Sequence, residues 1–144
     1  MNCSFCDIVS GKLDAALVSE SKHALAFLDR NPVVAGHCLV VPKKHYENLW
    51  SIPATELTDF MQLVTKVQKL ITKNLNAEGA DLRQHYRPFL PETEMVKRHI
   101  HFHVIPRTLN DAIFKKSLIH HEKLRTKPTK KQLDLVAKKI NDLS

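Results

Sequence analysis

The chain reads as an α+β protein, and three observations carry that reading. Residues His99–Ile105 alternate between histidine and apolar residues, the period-two pattern of a strand. Leu57, Phe60, Met61, Val64, Val67 and Ile71 recur at spacings of three and four, which is the stripe of an amphipathic helix. The strand-like runs also lack the regular βαβ alternation that a parallel, doubly wound sheet requires.

Taken in order, Phe5–Ile8 and Leu17–Glu20 are short strand-like pieces on either side of a turn at Gly11. Ala24–Leu28 reads as a strand that ends where Asn31-Pro32 breaks the pattern. Gly36–Pro42 is β-branched and apolar, again a strand. Ser51 is a plausible N-cap and Pro53 a first-turn residue for a helix reaching to about Asn76. Residues 80–97 hold Pro88, Pro91 and many charges, and read as an irregular loop. After the histidine strand, Thr129 and Gln132 form a capping-box pattern ahead of Leu133, Val136 and Ile140, predicting a C-terminal helix over about 129–143. No repeat or linker is evident, so 1–144 reads as one domain.

Composition narrows the class. Lys and Arg number 22 against 15 Asp and Glu, a net charge of +7, which favours anionic partners such as nucleotides, RNA or an acidic surface. The start Met1-Asn2-Cys3-Ser4 has no positive n-region and no apolar run behind it, and no stretch is long and apolar enough to span a membrane. The expectation is a cytoplasmic protein. In a reducing compartment the Cys3-x-x-Cys6 pair points to metal or redox chemistry rather than a structural disulfide.

The run His99-Ile100-His101-Phe102-His103-Val104-Ile105-Pro106-Arg107 carries the chemistry. On a strand its three imidazoles share one face and span about 13 Å, while Ile100, Phe102 and Val104 face the core. Neutral imidazole is nucleophilic near neutral pH, and a second imidazole stabilises charge developing on phosphate oxygens. Spacing alone leaves three readings open: a metal-binding strand, a phosphoryl-transfer site, or incidental surface histidines.

This run resembles the His-φ-His-φ-His-φ-φ-Pro-Arg signature of the histidine-triad family, φ being apolar. The block from Ala26 to His45, which includes Asp29-Arg30-Asn31-Pro32 and Gly36-His37-Cys38-Leu39-Val40-Val41-Pro42, resembles that family's nucleoside-binding stretch. Cys3–Gly11 resembles its zinc-associated N-terminal segment. The likeness covers roughly residues 1–75 and 99–107, three motifs in the family's order. It implies an α+β fold whose antiparallel sheet of about five strands, with two helices, continues across a two-fold homodimer. It implies cleavage at the α-phosphate of a nucleotide, with His101 as nucleophile and His37 and His103 on the phosphate. Asp29 would take the ribose hydroxyls, and Phe5, Ile8 and Phe27 would flank the base, though each is equally a core candidate. Cys3, Cys6, His45 and His99 occupy the zinc-ligand positions of the family's metal-binding branch, and two thiolates with two imidazoles suit a closed structural zinc site. No catalytic cofactor is expected.

The sequence departs from the family ahead of the triad. Glu92-Thr93-Glu94-Met95-Val96-Lys97-Arg98 replaces a Gly-Gln-Ser/Thr-like phosphate loop, and the family's upstream Asn has no assigned counterpart. Arg83, Arg87, Lys97 and Arg98 offer either contacts to further phosphates or a solvated basic loop. The basic tail at Lys115, Lys116, Lys123, Arg125 and Lys127 reads as solvated surface rather than a nucleic-acid site. The expected activity is therefore that of a dinucleoside polyphosphate hydrolase or nucleotidyl transferase. A phosphoramidase, a phosphorylase and a nucleotide-binding protein with vestigial turnover are the alternatives.

Overall fold

Strands that are apolar on both sides must be covered on both sides, and this requirement sets the architecture. The computed structural model describes residues 3–116 and 125–141. Its elements are α1 (Ser4–Val9), β1 (Leu17–Glu20), β2 (Ala24–Leu28), β3 (Cys38–Pro42), α2 (Ala54–Asn74), β4 (Gly79–Arg83), β5 (Phe102–Arg107) and α3 (Lys130–Asn141). The strands form one antiparallel sheet in the order β1-β2-β3-β5-β4. The fold is α+β, as the sequence predicts.

On one face lies α2, against which Ala24, Ala26, Val40, Ile100 and Val104 pack with Phe60, Leu63, Val64, Val67 and Ile71. On the other face α1 closes a smaller core of Cys3, Phe5, Leu25, Phe27, Leu39 and Val41. Successive residues of β2 and β3 thus serve opposite cores, which explains their unbroken apolar runs. The register pairs His103 with Leu39 and Phe102 with Val40, so the histidines belong to the α1 face.

Several sequence expectations need correction. Phe5–Ile8 is not a strand but lies in α1, whose single turn and a half brings Cys3 and Cys6 to one side. Ser51 does not cap α2. It sits in a short 3-10 turn, where its N–H donates to Asn48 Oδ1 at 2.9 Å, and Pro53 takes the N-cap position. The segment expected to be loop begins with a strand, β4, paired along β5. Asp81 obscures that strand in the sequence, but its carboxylate accepts from Arg107 Nε at 2.9 Å and Arg83 at 3.0 Å. Finally, β5 starts at Phe102 rather than His99 and runs on to Arg107. His99 leaves the ladder because Ile100 N–H donates to the Tyr46 carbonyl at 2.7 Å.

The chain divides into two compact units, Met1–Thr108 and Leu109–Ser144, at a point with no linker signature in the sequence. The second unit contains α3, and its capping box is present: Thr129 N–H donates to Gln132 Oε1 at 2.8 Å and Gln132 N–H to Thr129 Oγ1 at 3.3 Å. Residues 142 and 143 of the predicted helix, and Lys123, lie outside the described residues.

Phe60 is fully buried and meets Phe102 edge-on at 5.6 Å, joining α2 to the histidine strand. Phe60→Ala should therefore lower unfolding free energy by about 3–5 kcal/mol, as read by urea denaturation. A loss under about 1 kcal/mol would show that this contact does not organise the core.

Candidate functional site

The three histidines of the run have different partners. The His99 ring turns into the α1 core, is fully buried, and donates from Nε2 to the Pro42 carbonyl at 2.9 Å. A carbonyl only accepts, so Nε2 carries the proton and the Nδ1 lone pair is free. That lone pair faces Cys3 Sγ at 3.4 Å and Cys6 Sγ at 3.6 Å, while His45 Nδ1 lies 3.5 Å from Cys6 Sγ. The four ligand atoms all fall within 4.8 Å of one another. A tetrahedron built on zinc–sulfur and zinc–nitrogen bonds of about 2.3 and 2.0 Å has edges of about 3.3–3.8 Å. The three separations above match those edges, so Cys3, Cys6, His45 and His99 fit a tetrahedral metal site. Burial, with Cys3 next, pushes the Cys6 thiol up to about 11, and burial, opposed by the hydrogen bond to Pro42, pushes His99 down to about 4. A cation would reverse the first effect by stabilising thiolate.

His101 points elsewhere. Its Nδ1 donates to the carbonyl of His99 at 2.8 Å, which leaves the Nε2 lone pair available. Its edge rests on Phe5, centroid to centroid 5.1 Å, and Phe5 in turn packs on Phe27 at 5.8 Å. Burial is the main cause that lowers its basicity, the hydrogen bond to His99 opposes this, and His85 adds to it. His101 is thus a neutral imidazole with a free nitrogen.

The neighbouring pair is ordered by a chain of donors. Val33 N–H donates to His37 Nδ1 at 3.3 Å, so His37 must use Nε2–H toward His103 Nδ1 at 2.9 Å. His103 then carries its own proton on Nε2, a donor beside the lone pair of His101, whose ring is 4.8 Å away. Burial drives His103 down to about 3, with His101, His37, His85 and Arg83 adding to the effect. Burial also lowers His37, while Asp29, 3.5 Å from its Nδ1, opposes the shift. Asp29 is kept in place by accepting from Asn31 N–H at 2.9 Å.

The structure therefore brings together His37, Asp29, His101, His103 and Phe5, with Ile8 packed against the same small core. Phe27 is only 3% exposed and packs behind Phe5. Thr93 spends its hydroxyl inside the 84–98 loop, accepting from the N–H groups of Met95 and Val96 at 3.2 and 3.0 Å. Of the four loop cations, Arg87, Lys97 and Arg98 border a cavity of about 200 Å³ that reaches His101 and His103, while Arg83 is tied to Asp81. Two features escaped the sequence. The Asp81–Arg107 pair had a cue in the Pro-Arg that follows the triad. His85 had none, because it sits in a segment that matches no motif; its ring lies 5.7 Å from that of His103.

A file of buried and half-buried histidines lies beside a thiol–imidazole cluster on a five-stranded antiparallel sheet. Comparison with known proteins gives the family. The HIT domain matches residues 10–110, and the chain belongs to that family. It is 40% identical over 110 residues to an uncharacterized HIT-like protein of Methanocaldococcus jannaschii, covering 76% of this chain and 82% of that one. It is 34% identical over 107 residues to an adenosine 5'-monophosphoramidase of Schizosaccharomyces pombe, covering 74% and 75%. Among solved structures, a zinc-bound histidine triad family protein from Mycobacterium smegmatis superposes with a TM-score of 0.68 at 27% identity, covering 92% of this chain and 87% of that one. Among the described residues no helix is long and apolar enough to cross a membrane.

Neutral buried histidines make stability depend on pH. His103 has a folded value of about 3 against an ordinary 6.5, and His37 and His101 are displaced in the same direction. The unfolded chain takes up protons first, so this stability is complete above 6.5 and is lost as pH falls toward 3. The thermal midpoint should drop between about pH 7 and pH 5, and His103→Gln should make the slope shallower. A midpoint flat over that range would show that these rings take up protons as readily in the folded protein as in the unfolded chain.

Proposed function

We propose that the protein is a nucleotide hydrolase or nucleotidyl transferase that works through a covalent intermediate on His101. One observation carries this reading: His101 Nδ1–H is committed to the His99 carbonyl, so Nε2 is an unprotonated nucleophile beside the Nε2–H of His103. In the first step, Nε2 of His101 forms a bond to the α-phosphorus, and the bond to the leaving group breaks. The leaving atom keeps the electron pair, and the Nε2–H of His103 donates a hydrogen bond to the charge that develops there; a phosphate departs as its anion. In the second step, water attacks phosphorus, the P–N bond breaks with its pair returning to Nε2, and the surplus water proton passes to solvent. Asp29 takes the ribose hydroxyls, and Phe5 and Ile8 flank the base. The cations Arg87, Lys97 and Arg98 favour dinucleoside polyphosphates, with about four phosphates as the preferred length. Similarity to phosphoramidases supports the second reading, in which the leaving group is an amine.

The metal site would hold a structural zinc, tying α1 to His45 and His99. The free thiols of Cys3, Cys6 and Cys38 suit a reducing cytoplasm. The working form would be a homodimer that continues the sheet.

The test is a denaturing, alkaline quench of protein mixed with diadenosine tetraphosphate or adenosine 5'-phosphoramidate, followed by mass spectrometry. AMP should be found on the peptide containing His101, and His101→Ala should lower kcat by about a thousandfold or more. No adduct on any histidine would leave a nucleotide-binding protein. Arg87→Ala or Arg98→Ala should reduce kcat/KM for the tetraphosphate more than for the phosphoramidate. Equal losses would assign those arginines to the fold or to general binding.

Purified protein should carry about one zinc per chain, and Cys3→Ser should lower both zinc content and thermal midpoint. Metal-free protein with an unaltered midpoint would contradict a structural zinc.

A further inference from the structure

The cavity that reaches His101 and His103 is lined by neither Asp29, His37, Phe5, Ile8 nor Phe27. Its lining shares His101 and His103 with the site and none of the residues assigned to the nucleoside. At about 200 Å³ it is smaller than the roughly 300–1,000 Å³ of pockets that take a whole ligand. It suits a part of the substrate. Its charged wall consists of Arg87, Lys97 and Arg98 against one acid, Glu47, so it prefers an anionic part.

Within that wall the ring of His85 lies beside that of His103. It is exposed, its ring is 5.7 Å from that of His103, and its charge acts on both His101 and His103. Resting on the reading of His101 as nucleophile, we propose that His85 is a specificity-determining residue that binds the leaving group and selects a phosphate over an amine there. An imidazole at this point offers an N–H to the oxygens of a β-phosphate just as the α-phosphate meets His101 and His103. Ammonia or a small amine leaves no such oxygens. The surroundings favour the same choice. Burial, then Arg87 and Arg83, oppose a positive charge on His85 in the free protein. An anion lodged among these groups offsets the repulsion and strengthens the hydrogen bond.

Two substrates with the same adenylyl half separate this role from a structural one. For wild type, His85→Ala and His85→Gln, kcat/KM is measured on diadenosine tetraphosphate and adenosine 5'-phosphoramidate. The adduct on His101 is quantified in parallel. The ratio of the two kcat/KM values, tetraphosphate over phosphoramidate, should fall at least tenfold in His85→Ala. His85→Gln keeps an N–H donor and should recover part of the ratio. Equal losses on both substrates would show that His85 only supports His103, and an unchanged ratio would remove it from the leaving-group side. Turnover of the phosphoramidate alone by wild type would overturn the assignment as well. Each of these leaves the His101 reading standing if the adduct forms. Absence of any adduct in wild type would overturn that reading, and His85's role with it.

Discussion

His99 is the residue on which the site depends, because it is held at three atoms for three purposes. Its Nε2–H is fixed by the Pro42 carbonyl, its Nδ1 faces the thiols of Cys3 and Cys6, and its own carbonyl takes the Nδ1–H of His101. The first contact decides which nitrogen is available to a metal. The third decides which nitrogen of His101 keeps a lone pair. Both settings follow from one fact, that a carbonyl oxygen accepts and never donates. One residue thus orders two neighbouring sites, the first through its ring and the second through its backbone carbonyl.

The period of two on the histidine strand was legible because both faces of the sheet are buried. Ile100 and Val104 had to join the α2 core, and the opposite face was left for imidazole. The Ala24–Leu28 strand, the α2 stripe and the Thr129–Gln132 cap were readable for the same reason, each being a local pattern with one physical solution. The misread elements are those whose conformation is decided by distant partners. A six-residue helix around Cys6 carries no periodicity long enough to register. Asp81 looks wrong for a strand until Arg107, 26 residues later, closes on it.

The site followed the same rule. The positions of His37, Asp29, His101 and His103 could be inferred because short motifs carry them. Their division of labour could not, because it is set by tautomers, and tautomers depend on which backbone group each ring meets. Phe27 shows the limit from the other side: its place in a nucleoside-binding block is compatible with near-complete burial behind Phe5. His85 was hidden because a loop residue acquires its neighbours only when the loop folds over the sheet.

The chain lowers the basicity of its central histidines and sets Arg87, Lys97 and Arg98 around the cavity that His101 and His103 share. Burial is the leading cause for His37, His99, His101 and His103 alike, and it leaves lone pairs where protonation would remove them. The central claim is that His101 enters the reaction with its proton locked on Nδ1. Long-range proton–nitrogen correlation spectra of protein labelled with nitrogen-15 histidine report the tautomer of each ring. The account predicts His101 as the Nδ1–H form and His99 as the Nε2–H form at neutral pH. A His101 ring found protonated on Nε2, or on both nitrogens, would contradict it.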